Sequence, residues 1–443
     1  MTQERRAPCA TAGQLSDWIG AVHGELHSDG VSFSEIAERF GTPVYVYSAS
    51  RIRANIDRFQ RAFAGLPVSF FYAAKANSNG SVLRVVHRGG FGVEVVSMGE
   101  FRRAVDAGVS ADAMVFSGVG KRPEESIEAS AAGLRAVIVE SVEELENLAQ
   151  AATAASAEVP VAIRVHPRID AQTHPYLATG AFGSKFGLDP EARWRALELL
   201  SASKALRLVG LHIHLGSQIR EVQPYLDGLD ALKVVLAEAR DRGLGPEFLD
   251  LGGGFGIPYD VAGGAYPLKA LAEALRMAWP SGMRLHLEPG RIVVGDAGVL
   301  LTRVVLRKRA HGKRFVVVDA GMNTLIRPCL YGASHRIVPV REIEGNATPA
   351  DVVGPICEGS DVLAKDCAMG DVPQGGLLAV MDAGAYGFAM ASQYNSHPRP
   401  AEVMILGGET HLVRQRESWQ DLVQHERVPA QLEAVGREEG GMT

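Results

Sequence analysis

The sequence predicts a (β/α)8 barrel joined to a second, mostly β domain. Three observations carry this. Eight short apolar runs recur between Val68 and Gly290, helix-like stretches separate them, and after about Asp296 the texture turns to successive strands with little helix. A length of 443 residues is enough for one large domain and a smaller one, each with a buried core.

The runs are VSFFYAAK (68–75), FGVEVVS (91–97), MVFSG (114–118), AVIVES (136–141), VAIRVHP (161–167), LVGLHIHLG (208–216), FLDLGGG (248–254) and RLHLEPG (284–290). Each is rich in β-branched, aromatic or leucine residues and does not strictly alternate, as expected of strands covered on both faces. Between them, stretches such as SVEELENLAQAATAA and YLDGLDALKVVLAEAR space apolar residues by three and four, the period of an amphipathic helix. The early runs start about 22–25 residues apart, close to one compact strand–helix unit.

Beyond the barrel, TRVVLRKRA, KRFVVVDAG, HRIVPVREI, GGLLAVMDAG and AEVMILGGE read as strands separated by turn residues. GTPVYVYS, ahead of the barrel, is also strand-like and is expected to join them. The predicted division is an N-terminal segment (1–46) completing the β domain, the barrel (47–295), the β domain (296–430) and a disordered tail (431–443).

Composition narrows the function. Hydrophobic residues at 47% and charged residues at 22% are those of an ordinary globular protein, and a net charge of −6 gives no attraction to nucleic acid or an anionic membrane. The N-terminus has no signal-like apolar run, and no stretch approaches the length of a membrane span. Cys9, Cys329, Cys357 and Cys367 form no CxxC pair and read as free thiols, which places the chain in the cytoplasm.

In such a barrel, chemistry sits at the C-terminal ends of the strands. Those ends carry Lys75, Glu94 with Ser97, Arg164 with His166, His214 with Ser217, Gly252 to Gly254, and Glu288 with Arg291. Lys75 is either a surface lysine or an amine projecting into the barrel mouth, where partial desolvation would lower its pKa and free it for Schiff-base chemistry. Gly252, Gly253 and Gly254 serve either a tight strand-to-helix turn or a phosphate cradle, for which strand seven is the usual position. Glu288 and Arg291 either bridge a turn as an ion pair, or hold a pyridine nitrogen and an anion. His212 and His214 share one strand face, as core histidines or as two of a metal's ligands, with no third ligand at obvious spacing. In the β domain, Cys357 and Glu358 (GPICEGSD), Arg327 and Tyr331 (IRPCLYGASH) and Tyr386 (DAGAYGFAMASQYN) have meaning only jointly.

Taken in order, YAAKANSN, VVSMGE, FSGVGK, RVHPRIDAQTHPYLATG, SKFG, GLHIHLGSQI, LGGGFGIPY, EPGR, RPCLYGASH, GPICE and GAYGFAMASQYN resemble the diaminopimelate decarboxylases. These are fold-type III pyridoxal-phosphate enzymes in the alanine racemase/ornithine decarboxylase group, and the resemblance runs from about Gly41 to Val403. It implies pyridoxal 5'-phosphate attached to Lys75 and stacked by His214. Ser217, Gly252, Gly253, Gly254, Arg291 and Tyr386 would lie around the phosphate, with Glu288 at the pyridine nitrogen. It implies Arg291, Arg327 and Tyr331 at the distal carboxylate of meso-diaminopimelate, with Tyr386 close by and Glu358 at the distal ammonium. Cys357 would reprotonate the α-carbon in a neighbouring subunit's site, making a homodimer the functional unit.

Three departures from the family pattern stand out: Glu94 where aspartate is usual, Gly359-Ser360 in place of Ser-Gly, and His397 in place of arginine. The second removes a hydroxyl beside Glu358. A decarboxylase of lysine, ornithine or a siderophore intermediate is the alternative, although Arg327, Tyr331 and Glu358 favour a substrate with two amino-acid ends. A racemase fits the lysine motif less well. A non-catalytic relative would have lost Lys75 or Cys357, and both are present.

Overall fold

Strands buried on both faces need a cover of helices and a neighbour at every edge, and closing the sheet provides both. The computed structural model describes residues 18–167, 185–259 and 264–433. Its barrel strands are Val68–Ala73, Gly92–Val95, Met114–Phe116, Ala136–Val139, Val159–Arg164, Leu206–His212, Phe248–Asp250 and Arg284–Leu287. All pair in parallel, in chain order, and strand eight closes on strand one through Leu285 opposite Val68. Each of the eight expected runs overlaps one of these strands, six containing it whole, while Val159–Arg164 and Leu206–His212 begin two residues before the run.

Side-chain alternation divides the barrel into a dry floor and a polar mouth. Phe71, Val115, Ala136, Ile138, Ala162, Val209 and Phe248 pack together as one buried cluster. Two residues further along the same faces come Ala73 and then Lys75 on strand one, Arg164 on strand five and Asp250 on strand seven. The intervening residues, among them Tyr72, Val93, Val137, Ile163 and Leu249, point outward into the core shared with the helices. Several of the helices are started by side-chain caps. Ser97 accepts from the Glu100 N–H at 3.2 Å at the head of Met98–Asp106, so it caps a helix and does not line the mouth.

The second domain is built on a thirteen-residue strand, Gly298–Ala310. Val44–Ser48 lies between it and Ala401–Leu406, antiparallel to the first and parallel to the second, with all five residues buried. Val44 and Val46 face a core of Val299, Leu301, Val403 and Ile405, while Tyr45 and Tyr47 face the core shared with the barrel. The predicted mostly β domain completed from the N-terminus is therefore present. Upstream, the short strands Ile19–Val22, Glu25–Ser28 and Val31–Ser32 form a small antiparallel sheet of their own, which the sequence reading did not anticipate. Of the expected tail (431–443), residues 431–433 belong to the helical turn Ala430–Glu433, and the remainder lies outside the described residues.

No helix among the described residues is long and apolar enough to cross a membrane. Cys329 and Cys357 are free. Cys367, fully buried in Val362–Met369, is disulfide-bonded, which corrects the expectation of a free thiol; Cys9 lies outside the described residues. Sparse spacing gives no sign of such a pairing, because it depends on the distance between Cα atoms and not on separation along the chain.

Candidate active site

The barrel mouth opens into a cavity of about 470 Å3 whose walls include Lys75, Glu94, His212, His214, Ser217, Glu288, Arg291, Arg327, Tyr331 and Tyr386. That volume suits a cofactor with a small substrate. The β domain contributes the last three, so the site lies where the two domains meet.

Lys75 follows strand one in a single 3-10 turn, Ala74–Ala76. Its Nζ donates to Glu94 Oε1 at 3.1 Å, and Glu94, at the end of strand two, is almost fully buried. Burial acts to lower the Lys75 pKa, but Glu94, Tyr386 and Glu288 outweigh it and raise the amine above its usual range. The expected lowering is therefore corrected: the acid beside the lysine reverses the sign.

His214 accepts the Gly253 N–H on Nδ1 at 3.3 Å. Burial, with Lys75 and Arg164 nearby, holds its pKa well below the ordinary value, so the ring facing the cavity is neutral. Glu288 is paired with His212, Oε2 to Nε2 at 3.4 Å. Burial opposes its charge, yet His212 and Lys75 keep its carboxyl below the usual range.

The glycine turn after strand seven is there because nothing larger fits. A Cβ on Gly253 would stand 2.1 Å from the Glu288 carbonyl oxygen, and one on Gly254 2.3 Å from that of Gly216. Beside this turn, Arg291 donates to Ser217 Oγ at 3.0 Å and to the Tyr259 hydroxyl at 2.7 Å. Tyr386 holds its ring 4.8 Å from the Arg291 guanidinium. It does so from a left-handed backbone (φ 56°), pinned by its N–H donating to the Ala76 carbonyl.

Arg327 is 3% exposed and stacks on Tyr259 at 4.6 Å. It donates to His335 Nε2 at 2.7 Å, and His335 Nδ1 in turn donates to the Met381 carbonyl. Burial and the adjacent guanidinium drive the His335 pKa down to about 3, which leaves it neutral and able to accept. Neither Arg291 nor Arg327 has a carboxylate partner among the described residues. Two buried guanidiniums without an acid partner among the described residues suit this wall to anionic groups.

Cys357 and Glu358 stand apart from this cavity. Cys357 is exposed with its N–H donating to Asn395, and Glu358 accepts from the Tyr394 hydroxyl at 2.6 Å. Tyr259, His335 and Asp250 were not singled out for roles in the sequence, and His212, read there as a core histidine or a metal ligand, pairs with Glu288. Tyr259 could have been, since it closes the LGGGFGIPY segment. The RVHPRIDAQTHPYLATG segment lies mostly outside the described residues, although Arg164 is present and donates to buried Glu140 at 2.9 Å.

The donor set fits pyridoxal phosphate. A lysine faces the cavity, Glu288 Oε1 is buried without a partner, and Ser217 and Arg291 lie beside a turn too tight for any side chain. Residues 49–295 match the family model for the pyridoxal-binding domain of pyridoxal-dependent decarboxylases. The diaminopimelate decarboxylase of Pseudomonas aeruginosa is 44% identical over 406 residues, covering 90% of this chain and 96% of that one. The chain belongs to the diaminopimelate decarboxylase family. Solved structures of diaminopimelate decarboxylases agree. That of Helicobacter pylori, complexed with L-lysine, has a TM-score of 0.85 at 35% identity, covering 89% of this chain and 98% of its own. That of M. jannaschii, in complex with L-lysine, has a TM-score of 0.88 at 34% identity, covering 94% and 99%. As a diaminopimelate decarboxylase family member, the chain is a pyridoxal-phosphate-dependent carboxy-lyase.

Proposed function

We propose that the protein decarboxylates meso-2,6-diaminopimelate, releasing carbon dioxide and L-lysine in the last step of lysine biosynthesis, with pyridoxal phosphate held at Lys75. The observation that carries the substrate is the acid-free guanidinium pair on one wall. Phosphate accounts for Arg291, with Ser217 and the Gly252–Gly254 turn. Arg327 then remains for a second anion, the distal carboxylate, with Tyr331 beside it. A simple diamine precursor has no group to satisfy Arg327.

Bound pyridoxal phosphate supplies an electron-withdrawing ring that takes up the electron pair left when carbon dioxide departs. The chain's residues orient and exchange protons around it. Lys75, whose amine faces the cavity, would hold the cofactor. His214, neutral, would cover one face of the cofactor, and Glu288 would offer its negative charge to the ring nitrogen. Tyr386 steadies Arg291 from the β domain.

Cys357 and Glu358 are assigned to the neighbouring subunit's site in a homodimer, Cys357 returning a proton to the α-carbon and Glu358 receiving the distal ammonium. Their exposure, away from the cavity of their own chain, supports this. The cytoplasm is the proposed compartment, favoured by the free thiols of Cys329 and Cys357. The disulfide at Cys367 argues the other way.

The test is carbon dioxide and lysine release from meso-diaminopimelate with added cofactor, for wild type and Lys75→Ala. Stoichiometric lysine from wild type and none from the variant is expected. A yellow wild-type protein inert toward diaminopimelate would remove the substrate assignment and leave the cofactor site standing.

A further inference from the structure

Asp250 ends barrel strand seven, is fully buried, and has no part in the chemistry above. Its Oδ1 accepts the Gly252 N–H at 2.8 Å, while its Oδ2 has no partner. On strand eight, Glu288 likewise has one buried oxygen, Oε1, without a partner. Asp250, Glu288 and His212 each bring a ligating atom to within 4.8 Å of the others. The clustering follows from the barrel: Asp250 pairs with His286 across strands seven and eight, and Glu288 lies two residues further along.

Two carboxylates this close, out of water, do not both carry charge. With one Asp250 oxygen committed to a backbone donor, the other is free to bear a hydrogen toward an acceptor. We propose that Asp250 is a positioning residue, a neutral carboxylic acid that donates its hydrogen to one lone pair of Glu288 Oε1, leaving the other for the cofactor, and fixes that carboxylate in charge and orientation toward the cavity. This rests on Glu288 serving the cofactor's ring nitrogen.

The surroundings agree. Burial is the leading influence raising the Asp250 pKa, the Glu288 charge adds to it, and Glu94 across the mouth adds further. The titratable groups around the pair include His212, His286, Glu94, Lys75 and His214. The positive charge of Lys75 and the contact with His212 both favour ionised Glu288, the partner left charged. The same three buried side chains could also ligate a metal ion. In that case Asp250 would be ionised, which the test separates.

Asparagine preserves the arrangement, its oxygen accepting from Gly252 and its amide donating to Glu288, whereas alanine abolishes it. The experiment uses the cofactor-loaded protein. Infrared difference spectra of wild type against Asp250→Asn at neutral pH are expected to show a protonated carboxylic-acid carbonyl band present only in wild type. Turnover of Asp250→Asn is expected within about threefold of wild type, with that of Asp250→Ala, where it folds, far lower. Absence of the band, stoichiometric metal in the purified protein, or a loss of about a hundredfold or more in Asp250→Asn would overturn the proposal. Glu288→Gln is measured alongside. Unimpaired turnover there removes the role given to Glu288, while the infrared band still reports where the proton sits.

Discussion

The Nζ of Lys75 and Oε1 of Glu94 lie 3.1 Å apart at the ends of neighbouring barrel strands. This pairing decides how the site's nucleophile behaves. An unpaired amine in the barrel mouth would lose protons easily, because burial disfavours its charge. With Glu94 beside it, Lys75 stays an ammonium ion, and it must be freed of its proton before it can attack a carbonyl.

Glu94→Gln should therefore make the lysine more reactive near neutrality. Burial, which lowers its pKa, remains, while the largest raising influence is removed. The pH midpoint for attachment of added pyridoxal phosphate, followed by absorbance, is expected to move down by about 1–3 units. An unmoved midpoint would show that Glu94 does not set the charge of Lys75.

Gly253→Ala should damage the cradle through sterics alone. Its Cβ would press on the Glu288 carbonyl oxygen, a backbone atom that cannot turn aside. Overpacking of this kind costs roughly 1–3 kcal/mol, occasionally more. Both the thermal midpoint and the affinity for pyridoxal phosphate should fall, as read by calorimetry and cofactor titration. If stability falls while affinity is unchanged, the turn does not belong to the cofactor site.

The barrel and much of its mouth were legible because they obey short-range rules. Apolar runs mark the strands, and a period of two carries Phe71 to Lys75 and Ala162 to Arg164 toward the C-terminal end. What remained hidden depends on closure. Asp250 and Glu288 are 38 residues apart in sequence and meet only because strands seven and eight are neighbours. Tyr259 reaches both arginines only once the β domain has packed against the barrel. The pairing of Lys75 with Glu94 could have been read from adjacent strand ends, and it changes the sign of the inferred pKa shift. The N-terminal sheet escaped notice because strands of two to four residues carry no readable period.

Arg327→Leu should separate substrate recognition from cofactor binding. The guanidinium stacks on Tyr259 and donates to His335, with no carboxylate of the described chain to neutralise it. Losing a buried charge-assisted contact costs about 2–5 kcal/mol, so kcat/KM for diaminopimelate should fall about 30-fold or more. The absorbance of bound cofactor should stay as in wild type. Loss of cofactor in this variant would instead assign Arg327 to the phosphate.

Cys357 offers the sharpest test of shared sites. It is exposed and lies outside the cavity that Lys75 lines, so a proton donor at this position serves a partner's cavity or none. Cys357→Ala and Lys75→Ala, each nearly inactive alone, should complement when mixed under conditions that let subunits exchange. A hybrid dimer has one site with both residues intact and one with neither. With half of the dimers hybrid at random exchange, activity should recover to about one quarter of wild type. Because the two lesions fall at the same site in a hybrid only if the residues belong to different chains, the recovered fraction reports the geometry directly. Self-contained sites would leave every hybrid site with one lesion and recover nothing.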